Sequence, residues 1–394
     1  MLPIALKSFH IKNYRGIIDT QINNIPPDTQ WIFLTGENGF GKTSVLQGIA
    51  QRIFEDSKIK VSIGSFSSYL QSKKTVLEYY LYEKNNKLGQ NNVDRLRRRV
   101  GFIGKKPLHL FAAYGSSRLR TANNISRESN NDISNFPHNS LMNTETLLYD
   151  IEQALIDSNA YSKDLFYNLE DIFKNLIHSL IEIKIEVIEN RPVVKYYEAD
   201  EKGNKYKEGT NFTELATGYK NIIATIGDMI FKLMDISAYK PGENRNLKSL
   251  FGIVLIDEID LHLHPKYQKL FVQKLTDLFP KIQFIVSTHS PIPLLGAPKN
   301  SVIINVSRTR EEGIKAELLD IDFSVLTPNS ILSSPIFGFQ DLIPESKSDD
   351  KMIRTEDTFQ EVEFNDQLKK NINQFLTKER QEELLKLIKV KQKL

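Results

Sequence analysis

Gly36-Glu37-Asn38-Gly39-Phe40-Gly41-Lys42-Thr43 decides how the rest of the chain is read. It satisfies G-x-x-x-x-G-K-[ST], in which glycines let backbone N–H groups curl around phosphate oxygens where a Cβ would clash. Upstream, Trp31-Ile32-Phe33-Leu34 is a short apolar run that stops at Thr35-Gly36, as a buried strand does. Downstream, Val45, Leu46, Ile49, Ala50 and Ile53 recur at helical spacing from Lys42 to about Phe54. Strand, glycine loop and helix is the context the motif requires. In that context the helix N-terminus faces the phosphates, Lys42 adds a mobile charge on the β- and γ-phosphates, and the Thr43 hydroxyl is a magnesium ligand.

A second strand ends in acids. Ile253-Val254-Leu255-Ile256 runs into Asp257-Glu258, and carboxylates at the end of a buried strand are costly unless a cation compensates them. Asp257 is expected beside the magnesium, and Glu258 is placed to polarise the water that attacks the γ-phosphate. About thirty residues on, Gln283-Phe284-Ile285-Val286 ends in Ser287-Thr288-His289-Ser290. A histidine at a strand end is often a satisfied surface residue. The carboxyl end of a second parallel strand is also where ligands gather, which makes His289 a γ-phosphate contact. Glu258, Asp260, His262 and His264 admit a zinc reading as well, although a magnesium–phosphate site already accounts for the acids.

Around these segments an α/β pattern emerges. Leu6 to Tyr14 alternates like a strand, and the apolar run Leu108 to Tyr114 stops at Gly115-Ser116-Ser117. Thr121 to Asn143, rich in Asn and Ser, reads as a loose surface loop. Helices follow over Glu145–Ile156 and Ser162–Leu180, then an alternating stretch from Ile181 to Ala199 with Asn190-Arg191-Pro192 as the turn of a hairpin. A long helix starts near Leu215. Helix Lys266–Leu278 and strand Ile282–Val286 close the pattern. Pro344–Thr358 is a polar linker, and Leu368–Leu394 is an amphipathic helical tail that either docks on another chain or folds back on its own.

Composition narrows the classes. The 394 residues are 40% hydrophobic, enough for a large core, and 52 basic against 49 acidic residues leave a net charge of only +3. Nucleic-acid contact would therefore be a local patch; the densest is Arg95-Leu96-Arg97-Arg98-Arg99 with Lys105-Lys106, which reads equally as a solvated helix face. There is no cysteine, so disulfides and thiolate metal sites are excluded. No signal peptide or membrane span is read, and a cytoplasmic location is expected.

The ordered motifs resemble the ABC ATPases of the RecF, SMC and OLD-like branch. Gly36 to Ser44, Val254 to Pro265 and Ser287 to Pro291 look like the Walker A, Walker B with D-loop, and switch-histidine segments. Leu215-Ala216-Thr217-Gly218-Tyr219-Lys220 stands where that family has its signature motif, and Lys12-Asn13-Tyr14-Arg15-Gly16-Ile17 is similar to its opening segment. The resemblance implies an ABC-type P-loop head: a mixed sheet flanked by helices, a helical insertion or lid, and a helical tail. It implies ATP and Mg2+, held by Arg15, Asn38, Gly39, Gly41, Lys42, Thr43 and Ser44 of one copy and by Ala216, Thr217 and Gly218 of another. The metal falls to Thr43 and Asp257, and catalysis to Glu258 and His289.

A head-to-tail homodimer or a higher homo-oligomer follows from that arrangement. Three departures stand out: Ala216 replaces the signature serine, His264 takes the D-loop aspartate position, and the Gln expected after Leu108–Tyr114 is missing, leaving Ser116, Ser117 or Arg118. Leu261-His262-Leu263-His264-Pro265 and Phe284 to Pro291 are similar to stand-alone ATPases that partner nucleases in anti-phage systems such as Septu. A separate nuclease effector is expected, since the chain leaves no room for a nuclease domain after the ATPase core. A RecF-like repair ATPase is the alternative, and a transporter ATPase the weakest fit. The expected division is 1–120 and 211–340 for the two parts of the head, 121–210 for the lid with its hairpin, and 341–394 for linker and tail.

Overall fold

The computed structural model describes residues 2–56, 76–84, 93–96, 111–116, 139–142, 148–200, 202–234, 247–320 and 337. The chain divides into two units, Met1–Phe339 and Gln340–Leu394. The linker, the amphipathic tail, Lys105-Lys106, Arg97–Arg99, and Ser117 with Arg118 lie outside the described residues.

The loop strand is β3 (Trp31–Thr35), and every one of its five residues is buried. Alternate side chains serve opposite faces, so a strand covered on both sides must be apolar throughout. Trp31 and Phe33 join one core cluster, Ile32 and Leu34 another. On the second face lies α1 (Lys42–Asp56), whose Val45, Leu46, Ile49 and Ala50 are buried there. Burying each of the larger ones contributes about 1.5–3 kcal/mol, which anchors the helix that begins at the glycine loop.

Ten strands form one sheet in two halves. On one side β6 (Phe111–Tyr114), β9 (Phe251–Ile256), β10 (Lys281–Ser287), β3 and β11 (Val302–Thr309) run parallel in that order. On the other, β12 (Gly313–Leu319), β2 (Ile17–Ile22), β1 (Ile4–Tyr14), β4 (Val76–Lys84) and β5 (Val93–Leu96) continue it antiparallel. Gln283, fully buried on β10, stitches the halves together: its amide accepts from Leu6 N at 2.7 Å and donates to Thr29 O at 2.8 Å. The expected α/β head, a mixed sheet flanked by helices, is the fold observed.

Four helices cover the first face: α2 (Ile151–Tyr161), α3 (Lys163–Leu176), α4 (Thr217–Leu233) and α5 (Pro265–Leu278). Their buried residues share one core with Trp31, Phe33, Val254, Ile256, Phe284 and Val286. The hairpin β7 (Leu180–Ile188) and β8 (Arg191–Glu198) forms its own two-stranded sheet, with Leu180, Ile183, Val194 and Tyr196 in that core.

Several sequence expectations need correction. The helix expected from Glu145 starts at Ile151, because the Asp150 carboxylate caps it by accepting from Gln153 N at 3.1 Å. The next helix ends at Leu176 rather than Leu180, since Leu180 is the first residue of β7. The hairpin turns at Glu189-Asn190, both at positive φ (49° and 64°) as a two-residue turn of this twist requires, and Pro192 pairs with Val187 inside the strand. Within the expected loose loop, Asn139–Met142 is a helical turn with Ser140 and Leu141 buried. Arg95 and Leu96 lie in a strand, which removes the helix-face reading for that part of the basic cluster. Early in β1 a register shift between Leu6 and Ser8 puts Ile4, Leu6, Phe9 and Ile11 in one cluster, which strict alternation does not do.

Candidate functional site

The site grows from the carboxyl ends of β3, β9 and β10. Gly36, Gly39 and Gly41 have φ of 129°, 79° and 95°, a region that disfavours side chains, so the chain curls sharply between β3 and α1. The loop is braced from behind. A Cβ on Gly36 would meet Val306 O at 2.1 Å, and one on Gly41 would meet Ile314 Cδ1 at 2.4 Å. At the tip, space around Gly39 is open, and Asn38 beside it is exposed.

Lys42 opens α1 and is buried. Its Nζ donates to Gly36 O at 2.6 Å and Glu37 O at 2.9 Å, so the ammonium folds over the loop it follows. Burial lowers its pKa to about 8, against the opposing pull of Asp257, Asp260, Glu258 and Glu37. Thr43, the next residue, donates its hydroxyl to Asp257 Oδ2 at 2.8 Å. That bond joins residues 214 positions apart.

Asp257 is buried and held on three sides. Its other oxygen accepts from Ser287 Oγ at 2.5 Å, and its N–H donates to Tyr114 O at 2.8 Å. Ser287 Oγ in turn accepts the Glu258 N–H at 2.8 Å. Glu258 takes φ 52°, a left-handed conformation uncommon for a residue with a side chain. Its carboxylate is about one-third exposed, and Oε1 lies 3.9 Å from His289 Nε2. Burial, then the charge of Lys42, lowers the His289 pKa while Asp260 and Asp257 pull it up. At neutral pH its imidazole is neutral, able to donate one proton and accept another. Beside it Thr288 donates to Asp260 Oδ1 at 2.7 Å.

The residues named for the signature sit elsewhere. Ala216 is the N-cap of α4, with no side-chain cap, and Ala216 and Thr217 are exposed. Gly218 packs on the loop after Glu258: a Cβ there would lie 2.7 Å from His262 O. Asn221 Nδ2 adds a bond to Leu261 O at 3.2 Å. Arg15 occupies a tight β1–β2 turn with Gly16, and its Nη1 donates to Gln47 on α1, one turn beyond Ser44. Ser44 is half-buried at the start of that helix.

Thus Lys42, Thr43, Asp257, Glu258 and His289 converge, while Ala216 and Thr217 form a separate exposed edge, with Gly218 half-buried against His262. The zinc reading finds no support, because among the described residues no group of three or more His, Asp or Glu could hold a metal ion. His264 instead caps α5, its Nδ1 accepting from Lys266 N at 3.3 Å. Ser287, Tyr114 and Ile314 support the site without a sequence signal of their own role. Ser287 stands in the segment before His289, whereas Ile314 belongs to a strand that carries no local signal.

The residues present fit a magnesium nucleotide. A curled glycine loop, a folded-over ammonium, and a hydroxyl–carboxylate pair at its mouth are the donors such a ligand uses. A family model described as "AAA domain, putative AbiEii toxin, Type IV TA system" matches residues 32–292, about two thirds of the chain. The chain belongs to this family of AAA-domain proteins. It is 27% identical over 365 residues to the Septu protein PtuA of Bacillus mycoides (strain KBAB4), covering 86% of this chain and 46% of that one. Over 117 residues it is 43% identical to the "Retron Vc95 probable ATPase" of Vibrio cholerae serotype O1 biovar El Tor, covering 29% of this chain and 20% of that one. The chain thus spans about half the length of the first relative and a fifth of the second. Among solved structures, an SMC head bound to the C-winged helix domain of ScpA aligns with a TM-score of 0.47 and 14% identity, over 80% of this chain and 98% of that one. Among the described residues no helix is long and apolar enough to cross a membrane.

Proposed function

We propose that this protein binds and hydrolyses ATP with Mg2+, as a head-to-tail pair of copies. The observation that carries the reading is the 2.8 Å bond between Thr43 Oγ1 and Asp257 Oδ2, which brings the two halves of a metal–phosphate site together at the mouth of the glycine loop. Magnesium, when bound, neutralises charge on the phosphates. Lys42 exchanges its two backbone carbonyls for phosphate oxygens. Thr43 and Asp257 supply metal ligands, and Ser287 keeps Asp257 oriented. Glu258, turned out by its left-handed backbone, takes the proton of the attacking water, and neutral His289 donates toward the terminal phosphate.

Arg15, Asn38, Gly39, Gly41 and Ser44 complete the nucleotide cradle in this proposal. Ala216, Thr217 and Gly218 serve the second copy's nucleotide: their helix N-terminus is exposed and positive, as an anion site requires. In this proposal, 1–120 and 211–340 form the two parts of the head, 121–210 the lid and 341–394 the linker and tail. The proposal adds a cytoplasmic location and a separate nuclease effector in an anti-phage assembly; the similarity to Septu PtuA and a retron ATPase supports the last of these. DNA contact is assigned to the basic cluster from Arg95 to Arg99.

The test is Glu258→Gln, which removes the proton acceptor and leaves the metal ligand Asp257. Turnover should fall about 100-fold or more while ATP stays bound, and size analysis with saturating ATP should show a trapped dimer. A variant that hydrolyses ATP at the normal rate, or stays wholly monomeric with ATP bound, would refute the reading.

A further inference from the structure

One residue touches both the helix that begins at the exposed signature segment and the backbone of the residue that carries the metal carboxylate. Tyr114 is the last residue of β6, paired with Ile256, and its carbonyl accepts the N–H of Asp257. Its ring turns the other way, fully buried, and the hydroxyl donates to Asp228 Oδ2 at 2.7 Å. Asp228 belongs to α4, three turns after Thr217 and Gly218. It is itself buried and satisfied: Lys232 Nζ lies 2.8 Å from Oδ2, and Tyr149 N donates to Oδ1 at 2.9 Å. Lys232 also stands over the Tyr114 ring, 5.3 Å from its centre.

Helix α4 therefore grips the Asp257–Glu258 segment on both sides. Its first turn packs on the loop that follows, through Gly218 on His262 O and Asn221 on Leu261 O. Three turns further on, it holds the strand end that precedes it, through Asp228 and Tyr114. A neutral buried hydroxyl bonded to a charged acceptor is a strong, directional contact, so α4 and the β6 end move together or break it.

We propose that Tyr114 is a positioning residue that transmits the placement of helix α4 to Asp257, so that the metal carboxylate is correctly set only while the Tyr114–Asp228 bond is made. Because Ala216 and Thr217 begin the same helix, engagement of that helix by a second copy reaches the metal site through one side chain. This inference rests on the reading of Asp257 as a magnesium ligand.

Tyr114→Phe tests it, since the ring and the backbone carbonyl remain and Asp228 keeps Lys232 and the Tyr149 N–H. Loss of a contact that holds a metal ligand's strand in place is expected to act as loss of an outer-shell partner does, costing roughly 10-fold or more in metal affinity or activity. In the folded variant, nucleotide binding without magnesium should equal wild type. The magnesium concentration that half-saturates nucleotide binding should rise about 10-fold, and kcat should fall about as much with little change in KM. A folded Tyr114→Phe protein with wild-type magnesium dependence and kcat overturns the proposal, as does equal weakening of binding with and without magnesium. Asp228→Ala, which removes the acceptor, supplies the second arm. If the bond is the route, adding Tyr114→Phe to a folded Asp228→Ala protein causes no further loss of magnesium affinity; fully additive losses overturn it. A wild-type chain that binds no nucleotide at all overturns the ATPase reading first, and this one with it.

Discussion

The two poles of the proposed site are built differently. At the glycine-loop pole the key groups hold one another: Lys42 is tied to Gly36 and Glu37, Thr43 to Asp257, and Asp257 to Ser287 and Tyr114. At the signature pole, Ala216 and Thr217 are exposed, Ala216 offers the helix no side-chain cap, and Lys220 turns back to Thr213 O at 3.0 Å. One pole is finished inside a single chain. The other is a helix terminus whose first N–H groups need a partner from water or from a ligand, and an anion suits them best. The contrast teaches that nucleotide binding should belong to one copy and hydrolysis to two.

The hardest test of the first pole is Lys42→Ala. Charge-assisted bonds to phosphate are worth about 2–3 kcal/mol, so ATP affinity should fall roughly 100-fold in direct binding measurements, with melting little changed. Near-normal affinity in a folded variant would break the comparison at its stronger end. Thr217→Asp probes the second pole. A carboxylate in the first helical turn suits the helix dipole, so stability should hold or rise by about 0.5 kcal/mol, yet it repels a phosphate arriving from another copy. ATP binding should stay normal while hydrolysis drops about 10-fold or more. Mixing this variant with Lys42→Ala should restore part of the activity, because one intact composite site can form. No recovery on mixing would break the composite, two-copy site.

Smaller effects sharpen the picture. With its pKa near 8, Lys42 is charged below that pH and loses its proton above it. Phosphate binds the charged form, so ATP affinity should be flat below about pH 8 and then fall by up to about 10-fold per unit. Lys42→Arg should flatten this profile, whatever its affinity; an identical slope would place the titration elsewhere. Least of all, Ala216→Ser gives α4 the missing capping hydroxyl and should add about 1 kcal/mol of stability in thermal melts. If that hydroxyl also meets a second copy's phosphate, turnover rises too; unchanged melting would show that the cap geometry does not accept it.

Much of the site was legible because its signals are local. The glycines around Lys42, the acids after Ile256 and the histidine after Val286 each stand at the end of an apolar run, where a strand must stop. The departures from local expectation are confined to short segments as well. Composition suggested a turn at Asn190-Arg191-Pro192, but an edge strand tolerates Pro192 where no ladder N–H is needed, and Glu189-Asn190 supply the positive φ. A loop rich in Asn and Ser concealed Leu141, whose carbonyl accepts from Gln47 Nε2 at 2.9 Å.

What the amino-acid sequence determined by itself is the set of groups the proposed chemistry uses: a glycine loop, a hydroxyl and a carboxylate proposed for a metal, an acid proposed for a water, and a segment at a helix start proposed as the signature. Those features depend on residue type and on neighbours within one turn or one strand. What only the tertiary structure decided is which of them meet. That Thr43 bonds Asp257, that Ile314 and Val306 brace the glycines, and that Tyr114 links Asp228 to the backbone of Asp257 all arise between segments far apart in the chain. Strand order in the sheet brings them together, and strand order is set by which apolar faces bury one another, a property no short stretch of residues carries.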